Sequence, residues 1–276
     1  MAVFALISHW MRALRWKLLI EQTGNQVKNW TSFHSLMVGY LVNLAIPRGG
    51  EVSRTYNLYK LEKTPIETSF GTVVVERIID VLCLFILMAI CFLVQWNALV
   101  TFFNSLGIGN SSEGISTPLW LWIVLGLGFI FLFVLYLFRK NEKLLKILIG
   151  FKSGLLSVLH LKKKRLFLIQ TTIIWILYFL MTYSVMLAFE KTAALGIGGV
   201  LVIFVIGGIA MAIPLPGGLG SYHTLLPLGL VMIYNMDRTD ATAFVFIFHA
   251  WQTLVMIVGG VVSLICTSVL LKTKKT

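Results

Sequence analysis

The sequence predicts an all-α polytopic membrane protein with about five to seven membrane helices and two broken or re-entrant helix pairs. The 276 residues are 58% hydrophobic and only 12% charged, whereas a soluble domain carries roughly 25% charged residues. Several apolar runs reach about 20 residues, enough to cross a bilayer as a helix. A transmembrane β-barrel would instead show alternating segments of about ten residues.

The first apolar run, residues 1–20, predicts a helix that is short for a span. Its end carries Arg12, Arg15 and Lys17, which fits a cytoplasmic interface, where basic residues collect. A second apolar helix is predicted over residues 29–46.

The next run, residues 66–95, is a clear span. Thr64 is predicted to cap it, Pro65 suits the first helical position and Glu67 completes a T-x-x-E capping box. Residues 96–118 contain Gly, Ser and Asn but no Lys or Arg, and predict a loop.

Further apolar segments fill the rest of the chain. In order they are 119–138, 166–189, 195–213, 221–235 and 240–271. Thr239 is predicted to cap the last of them, and the basic segment 139–165 is expected to hold an interfacial amphipathic helix.

The basic residues predict the orientation. Nine of the 23 Lys and Arg residues lie between Arg139 and Arg165, and three lysines follow the last apolar run. Basic segments beside spans mark the cytoplasmic side, so loop 139–165 and the C-terminus are predicted to be cytoplasmic and 96–118 external, in the inner or plasma membrane. The net charge of +12 then reflects topology and anionic lipid headgroups, not nucleic-acid binding.

Two similar segments interrupt the apolar runs: "NLAIPRGGEVSRTY" at 43–56 and "AMAIPLPGGLGSYH" at 210–223. Unpaired backbone in hydrocarbon costs several kcal/mol per group, so such breaks must line a protein-walled or wet cavity. Pro-Gly kinks are also ordinary in membrane helices, but two with matching neighbours favour a repeat. The predicted structural breaks are Pro47, Gly49, Gly50, Pro214, Pro216, Gly217, Gly218 and Gly220.

An inverted repeat is the simplest organisation of these breaks. Within a single membrane domain, 1–276, the predicted halves are 29–95 and 195–271, joined by spans 119–138 and 166–189. Three spans separate the breaks, which puts them on opposite faces, the first near the cytoplasm and the second near the exterior. Such repeats indicate a transporter's binding site.

Three charged residues lie in the middle of the 66–95 span: Glu76, Arg77 and Asp80. Each ion at the bilayer centre costs about 2.5–3.5 kcal/mol even on a lenient insertion scale, so the three must pair or face water. Glu76 and Asp80 share a helix face, and Arg77 lies three residues from Asp80 and can bridge to it. They form either a structural ion network or a headgroup or proton site.

The breaks carry polar residues of their own. At the first are Arg48, Glu51 and Arg54, and arginine forks beside helix termini suit a phosphate; simple snorkelling of the arginines is the alternative. At the second are Tyr222 and His223. A lone membrane histidine is more often a hydrogen-bonded packing residue, and His223, at the break, is a better candidate for substrate binding than His249.

Taken together, "NLAIPRGGEVSR", "VVVERIID" and "PLPGGLGSYH" resemble the flippase-like integral membrane family that includes the transmembrane region of lysylphosphatidylglycerol synthase. The resemblance covers about residues 10–270 and is carried by Pro47, Gly50, Glu51 and Arg54, then Glu76, Arg77 and Asp80, then Pro216, Gly217, Gly218 and Gly220, with Arg48 beside the first proline. The synthase also has a soluble aminoacyl-transfer domain and the family an additional upstream span, neither of which this sequence shows.

The resemblance implies a lipid transporter that moves an anionic or glycosylated lipid, such as a polyprenyl-phosphate lipid, with the membrane phospholipid or lipid-linked headgroup as partner. The alternative is an accessory protein of a glycosyltransferase or lipid-modifying enzyme. No catalytic motif is present, so enzyme activity is not predicted. No metal or cofactor is predicted either, and Cys83, Cys91 and Cys266 lack metal or redox spacing.

Overall fold

The computed structural model describes residues 1–106, 149–154 and 156–273. These residues form helices and connecting turns, with no strand among them, which confirms the all-α membrane class. The first five helices are α1 (Ala2–Gln22), α2 (Asn29–Ala45), α3 (Gly49–Glu62), α4 (Ile66–Val94) and α5 (Trp96–Ser105). The span predicted at 119–138 and the first part of the basic segment, 139–148, lie outside the described residues.

Residues 149–154 are also helical, and further helices follow after Lys163. They are α6 (Lys164–Met186), α7 (Glu190–Ala193), α8 (Gly196–Ala212), α9 (Ser221–Tyr234) and α10 (Arg238–Thr273), with a 3₁₀ turn at Pro216–Gly218 between α8 and α9. In the described part of the chain, α4, α6 and α10 are long and apolar enough to cross a membrane, and α8 is a shorter apolar helix.

Helix α2, the turn Ile46–Arg48 and α3 form an antiparallel pair, the first hairpin. Asn43 Oδ1 accepts the backbone N–H of Gly50 at 2.8 Å, and Thr31 donates to Glu62 at 2.7 Å at the open end. The two helices cross closely because glycines face each other: a Cβ on Gly50 would lie 1.9 Å from the carbonyl oxygen of Gly39. The predicted break therefore occupies Ile46–Arg48, and Gly49 and Gly50 open the next helix.

Helix α8, the irregular segment 213–220 and α9 form the second hairpin. Ser221 Oγ donates to the carbonyl of Ala210 at 2.8 Å and closes the turn. Gly217, Gly218 and Gly220 have φ values of 56°, 77° and 93°, a left-handed conformation that only glycine adopts readily. The α-helical path is thus interrupted between α8 and α9, with a 3₁₀ turn at Pro216–Gly218 inside the interruption.

Helix α10 shows how the hairpins are arranged. The open end of the second hairpin lies at the start of α10, where Lys191 contacts Asp240, and its turn reaches His249, which hydrogen-bonds Gly217. The first hairpin runs the other way: Asn57 contacts Thr267 near the end of α10. The hairpins enter from opposite ends and their turns meet near the middle of this 36-residue helix.

Helix α4 runs in the opposite direction to α10 and also contacts both hairpins. Its first half packs on α3, where Arg54 meets Glu76, and its second half packs on α8, where a Cβ on Gly208 would lie 2.7 Å from Leu84 Cδ1. The sequence placed the two breaks at opposite faces. That placement was wrong: the open ends lie at opposite ends, and the breaks themselves come together. The exact repeat boundaries, 29–95 and 195–271, stay a prediction.

Three local predictions were also wrong. Thr64 Oγ makes no hydrogen bond and α4 begins at Ile66, so the capping box does not form. Residues 96–105 of the predicted loop are helical, as α5. Asp237, not Thr239, caps α10: the backbone N–H of Thr239 donates to the Asp237 carboxylate at 2.8 Å, and this bond lowers the pKa of that carboxyl.

Candidate functional site

A buried ion network joins α1, α3 and α4. Arg12, Arg15 and Arg54 all donate to Glu76, whose side chain is fully buried. The shortest of these contacts runs from Arg54 Nη2 to Glu76 Oε2 at 2.5 Å. Asp80, one helical turn farther on, accepts hydrogen bonds from Arg12 at 2.9 Å and from Arg15 at 2.7 Å.

The same arginines are held by uncharged partners. Arg12 donates to the Tyr178 hydroxyl at 2.9 Å and Arg15 to Thr171 at 3.3 Å, both on α6. The guanidinium of Arg54 lies over the Trp16 ring at 4.5 Å, a cation–π contact that strengthens as water is removed. Four helices are therefore tied together through one cluster of charges.

Arg77 has a different environment. Its Nη2 lies 3.4 Å from Asp80 and 3.7 Å from Glu76, and 41% of its side chain is exposed. The predicted bridge to Asp80 exists, but Arg77 is the weakest partner of both acids. With Arg12, Arg15 and Arg54, it makes four arginines against two carboxylates, which leaves an excess of two positive charges.

A small, partly open cleft lies beside this network, between α2, α3 and α4. It is lined by Leu36, Gly39, Tyr40, Asn43, Gly50, Glu51, Arg54 and Arg77. Three of these residues carry buried polar atoms without a hydrogen-bond partner: the Nε atoms of Arg54 and Arg77 and the hydroxyl of Tyr40. Buried donors are normally satisfied, and these three are free to bond an acceptor in the cleft.

The predicted site residues separate into two groups. Glu51, Arg54, Glu76, Arg77 and Asp80 come together at the cleft or in the network beside it. Arg48 does not join them: it lies exposed at the first turn with a φ of 56°. The substrate-binding role of these residues stays a prediction.

Tyr222 and His223 lie at the second break. Tyr222 is buried, and its ring centre is 5.1 Å from that of His249. His249 Nε2 lies 2.9 Å from the carbonyl oxygen of Gly217. The sequence favours His223 over His249 as a site residue. In the structure, however, His249 is the histidine that hydrogen-bonds the second break.

The sequence also missed Arg12 and Arg15, which were assigned to a cytoplasmic interface. They are 6% and 0% exposed and carry most of the charge that Glu76 and Asp80 need. Their spacing of three residues puts both on one helix face, and two acids in a later span require cationic partners. The arginine spacing and the two acids together could have predicted that Arg12 and Arg15 pair with Glu76 and Asp80.

These features define a polytopic α-helical membrane protein with two opposed helix hairpins and an arginine-rich buried centre. The family described as the lysylphosphatidylglycerol synthase transmembrane region matches residues 1–260. The chain belongs to this integral membrane family, which confirms the resemblance seen in the sequence and supports a role connected with membrane lipids.

One curated relative illustrates the match. A protein of Methanocaldococcus jannaschii named as a UPF0104 membrane protein is 39% identical over 69 residues, which is 24% of this chain and 20% of the relative. The matched segment therefore spans about a fifth of that protein's length. No solved structure matches the chain significantly.

Proposed function

We propose that this protein moves a lipid with an anionic phosphate headgroup, such as a phospholipid or a polyprenyl-phosphate-linked glycolipid, between the leaflets of the cell membrane. The observation that carries the proposal is the set of unpaired donors at the cleft, beside a network with two more positive than negative charges. An anion in the cleft would satisfy both the donors and the charge.

Phosphate fits these donors better than a small neutral ligand does. Guanidinium groups present paired N–H donors that match phosphate oxygens, and such charge-assisted bonds are roughly twice as strong as neutral ones. A Tyr hydroxyl adds a single donor to a third oxygen. Glu51 and Asn43, which also line the cleft, would accept from hydroxyl or ammonium groups farther out on the headgroup.

The opposed hairpins support transport over simple binding. Two broken helix pairs that enter from opposite ends and meet in the middle are typical of transporters, whose substrate sites lie where the breaks meet. The turn of the first hairpin borders the cleft through Asn43 and Gly50. Movement of the first hairpin against α4 would change the width of the cleft, because α2, α3 and α4 form its walls.

Reconstitution tests the proposal. The purified protein is placed in phosphatidylcholine vesicles with a trace of fluorescent phosphatidylglycerol, and an impermeant quencher reports the lipid that crosses. Phosphatidylglycerol should cross faster than in protein-free vesicles, and fluorescent phosphatidylcholine should cross more slowly than phosphatidylglycerol. Equal rates for both lipids contradict an anionic site, and no movement of either lipid contradicts transport and favours an accessory role.

A matched pair of variants ties the activity to the cleft. Arg77→Gln removes a partly exposed cleft charge while Glu76 and Asp80 keep their other arginines, whereas Arg238→Gln removes an exposed arginine at the start of α10. The first should abolish phosphatidylglycerol movement and the second should leave it unchanged. Equal activity of both variants contradicts the assignment of the cleft.

A further inference from the structure

The second break contains a histidine pair that the ion network does not use. The ring centres of His223 and His249 are 4.7 Å apart, in an edge-on arrangement. His249 is 3% exposed, and His223 is half-buried and stacked on Phe246 at 4.3 Å. Tyr222 completes the cluster beside His249.

The hydrogen bond to Gly217 fixes the tautomer of His249. A carbonyl oxygen only accepts, so Nε2 of His249 must donate its proton to Gly217 across the 2.9 Å contact. The neutral ring then holds a lone pair on Nδ1, and the described part of the chain offers it no hydrogen bond. A second proton can therefore bind at Nδ1 without breaking the bond to the turn.

The surroundings hold no fixed counter-ion for that proton. Among the described residues, no Asp or Glu pairs with either histidine. Helix α8 carries no titratable side chain, α9 adds Tyr222, and α2 presents Leu44 at this level. Two adjacent imidazolium groups in such a site would repel each other, so the pair holds at most one proton.

The pair is connected to the anion cleft through the meeting of the two turns. A Cβ on Gly217 would lie 3.2 Å from Leu44 Cδ2, so the turn that His249 bonds packs directly on α2. Asn43, the neighbour of Leu44, lines the cleft. A change of charge on the pair therefore acts on a turn that packs against Leu44, the neighbour of a residue that lines the cleft.

We propose that the His223–His249 pair is a proton-binding site and that one proton crosses with each anionic headgroup. This inference rests on the proposed lipid transport. A lone proton on the pair has no counter-charge and is costly beside the apolar side chains that surround it. A phosphate in the neighbouring cleft supplies that counter-charge, so proton and anion bind more tightly together than separately.

Proteoliposomes with a trace of fluorescent phosphatidylglycerol test the coupling. For one proton per lipid, a gradient of about one pH unit supports a lipid gradient of about tenfold between the leaflets, because the two free energies are then equal. Wild type should accumulate the probe toward the alkaline side. An even distribution at every imposed gradient overturns the proposal.

His249→Gln removes the titratable group while keeping the hydrogen bond that holds the turn. Glutamine keeps an N–H donor for the Gly217 carbonyl but does not titrate. The variant should still equilibrate the probe between leaflets but should not accumulate it. His160→Gln, at an exposed position, is the matched control and should accumulate the probe like wild type. Wild-type accumulation by His249→Gln overturns the proposal.

A measurement independent of lipid movement separates this inference from the proposed function. NMR of ¹⁵N-histidine-labelled protein in phosphatidylglycerol nanodiscs follows the protonation of each ring. If the pair is a shared site, His223→Gln should alter the titration of His249, whereas His160→Gln should not. Independent titration of the two rings overturns the shared site even if lipid moves. A shared titration in a protein that moves no lipid supports the site and overturns only the proposed transport.

Discussion

Arg54 and Glu76 meet at the crossing of α3 and α4, with Arg54 Nη2 2.5 Å from Glu76 Oε2 and both side chains almost fully buried. This contact links the first hairpin to the α4 span. It also places the Arg54 guanidinium beside the cleft. The ion network is therefore at once a structural joint and the wall of the candidate headgroup site.

Glu76→Gln should destabilise the fold strongly. The carboxylate neutralises parts of three buried arginines, and removing one partner of a buried ionic cluster costs about 3–5 kcal/mol. Chemical unfolding of the purified protein in detergent micelles measures the loss. Glu190→Gln, at an exposed site on α7, should unfold like wild type. Equal unfolding of both variants would show that the network contributes little to stability.

Gly50→Ala should disrupt the first hairpin. Its new methyl group would lie 1.9 Å from the backbone oxygen of Gly39, and a backbone atom cannot swing aside as a side chain can. The expected loss of stability is about 3 kcal/mol or more. Thermal unfolding in detergent provides the measurement.

Gly259→Ala is the matched control for that prediction. Its methyl group would also be crowded, at 2.5 Å, but by the flexible end of the Met37 side chain. Rotation of that side chain should limit the loss to less than about 1.5 kcal/mol. If both alanine variants unfold at the same temperature, the close crossing of α2 and α3 does not limit stability.

The helices and the breaks could be predicted from the sequence because both depend on short, local patterns of residues. Apolar runs of spanning length identify helices, and Pro214 with its following glycines ends one. The meeting of the two breaks depends on how α4 and α10 pack against both hairpins, a tertiary relationship with no local signal. Sequence reasoning therefore placed each break by counting crossings and assigned them to opposite faces.

The residues of the candidate site also divide into those that a local pattern identifies and those that only the fold reveals. Glu76 and Asp80 stand out because acids are rare in a span, whereas Arg12 and Arg15 sit near a helix end where basic residues are common. Only the fold shows that α1 turns these arginines inward. Arg77 adjoins Glu76 in sequence and was the natural partner, but arginines from α1 and α3 take most of that role.

Arg77→Lys should slow lipid movement while leaving protein yield unchanged. Lysine keeps the charge but loses the planar fork and the Nε donor at the cleft, and the loss of one charge-assisted bond corresponds to about tenfold in rate. Yield should persist because Glu76 and Asp80 keep their three other arginines. The vesicle assay measures the rate, with the exposed Arg238→Lys as control. Wild-type transport by Arg77→Lys would show that Arg77 does not bind the headgroup through its fork.

The charge distribution over the fold predicts the orientation. One end of the described molecule combines the end of α1, the open end of the first hairpin and the start of α6. It carries Lys17, Lys28, Lys60, Lys63, Lys162, Lys163, Lys164, Arg165 and Lys272. The other end, at the open end of the second hairpin, carries Lys191 and Arg238. Such asymmetry marks the basic end as cytoplasmic.

Single cysteines at Lys60 and Lys191 test this orientation, in a background with the three native cysteines replaced by serine or alanine. Both positions are exposed, and they lie at opposite ends of the fold. An impermeant maleimide added to intact cells should label the cysteine at 191, and the cysteine at 60 should react only after the membrane is opened. A cysteine at the exposed Lys163 should behave like the one at 60, because both belong to the basic end. Labelling of position 60 from outside would reverse the orientation, and labelling of 60 and 191 from the same side would contradict the opposed entry of the two hairpins.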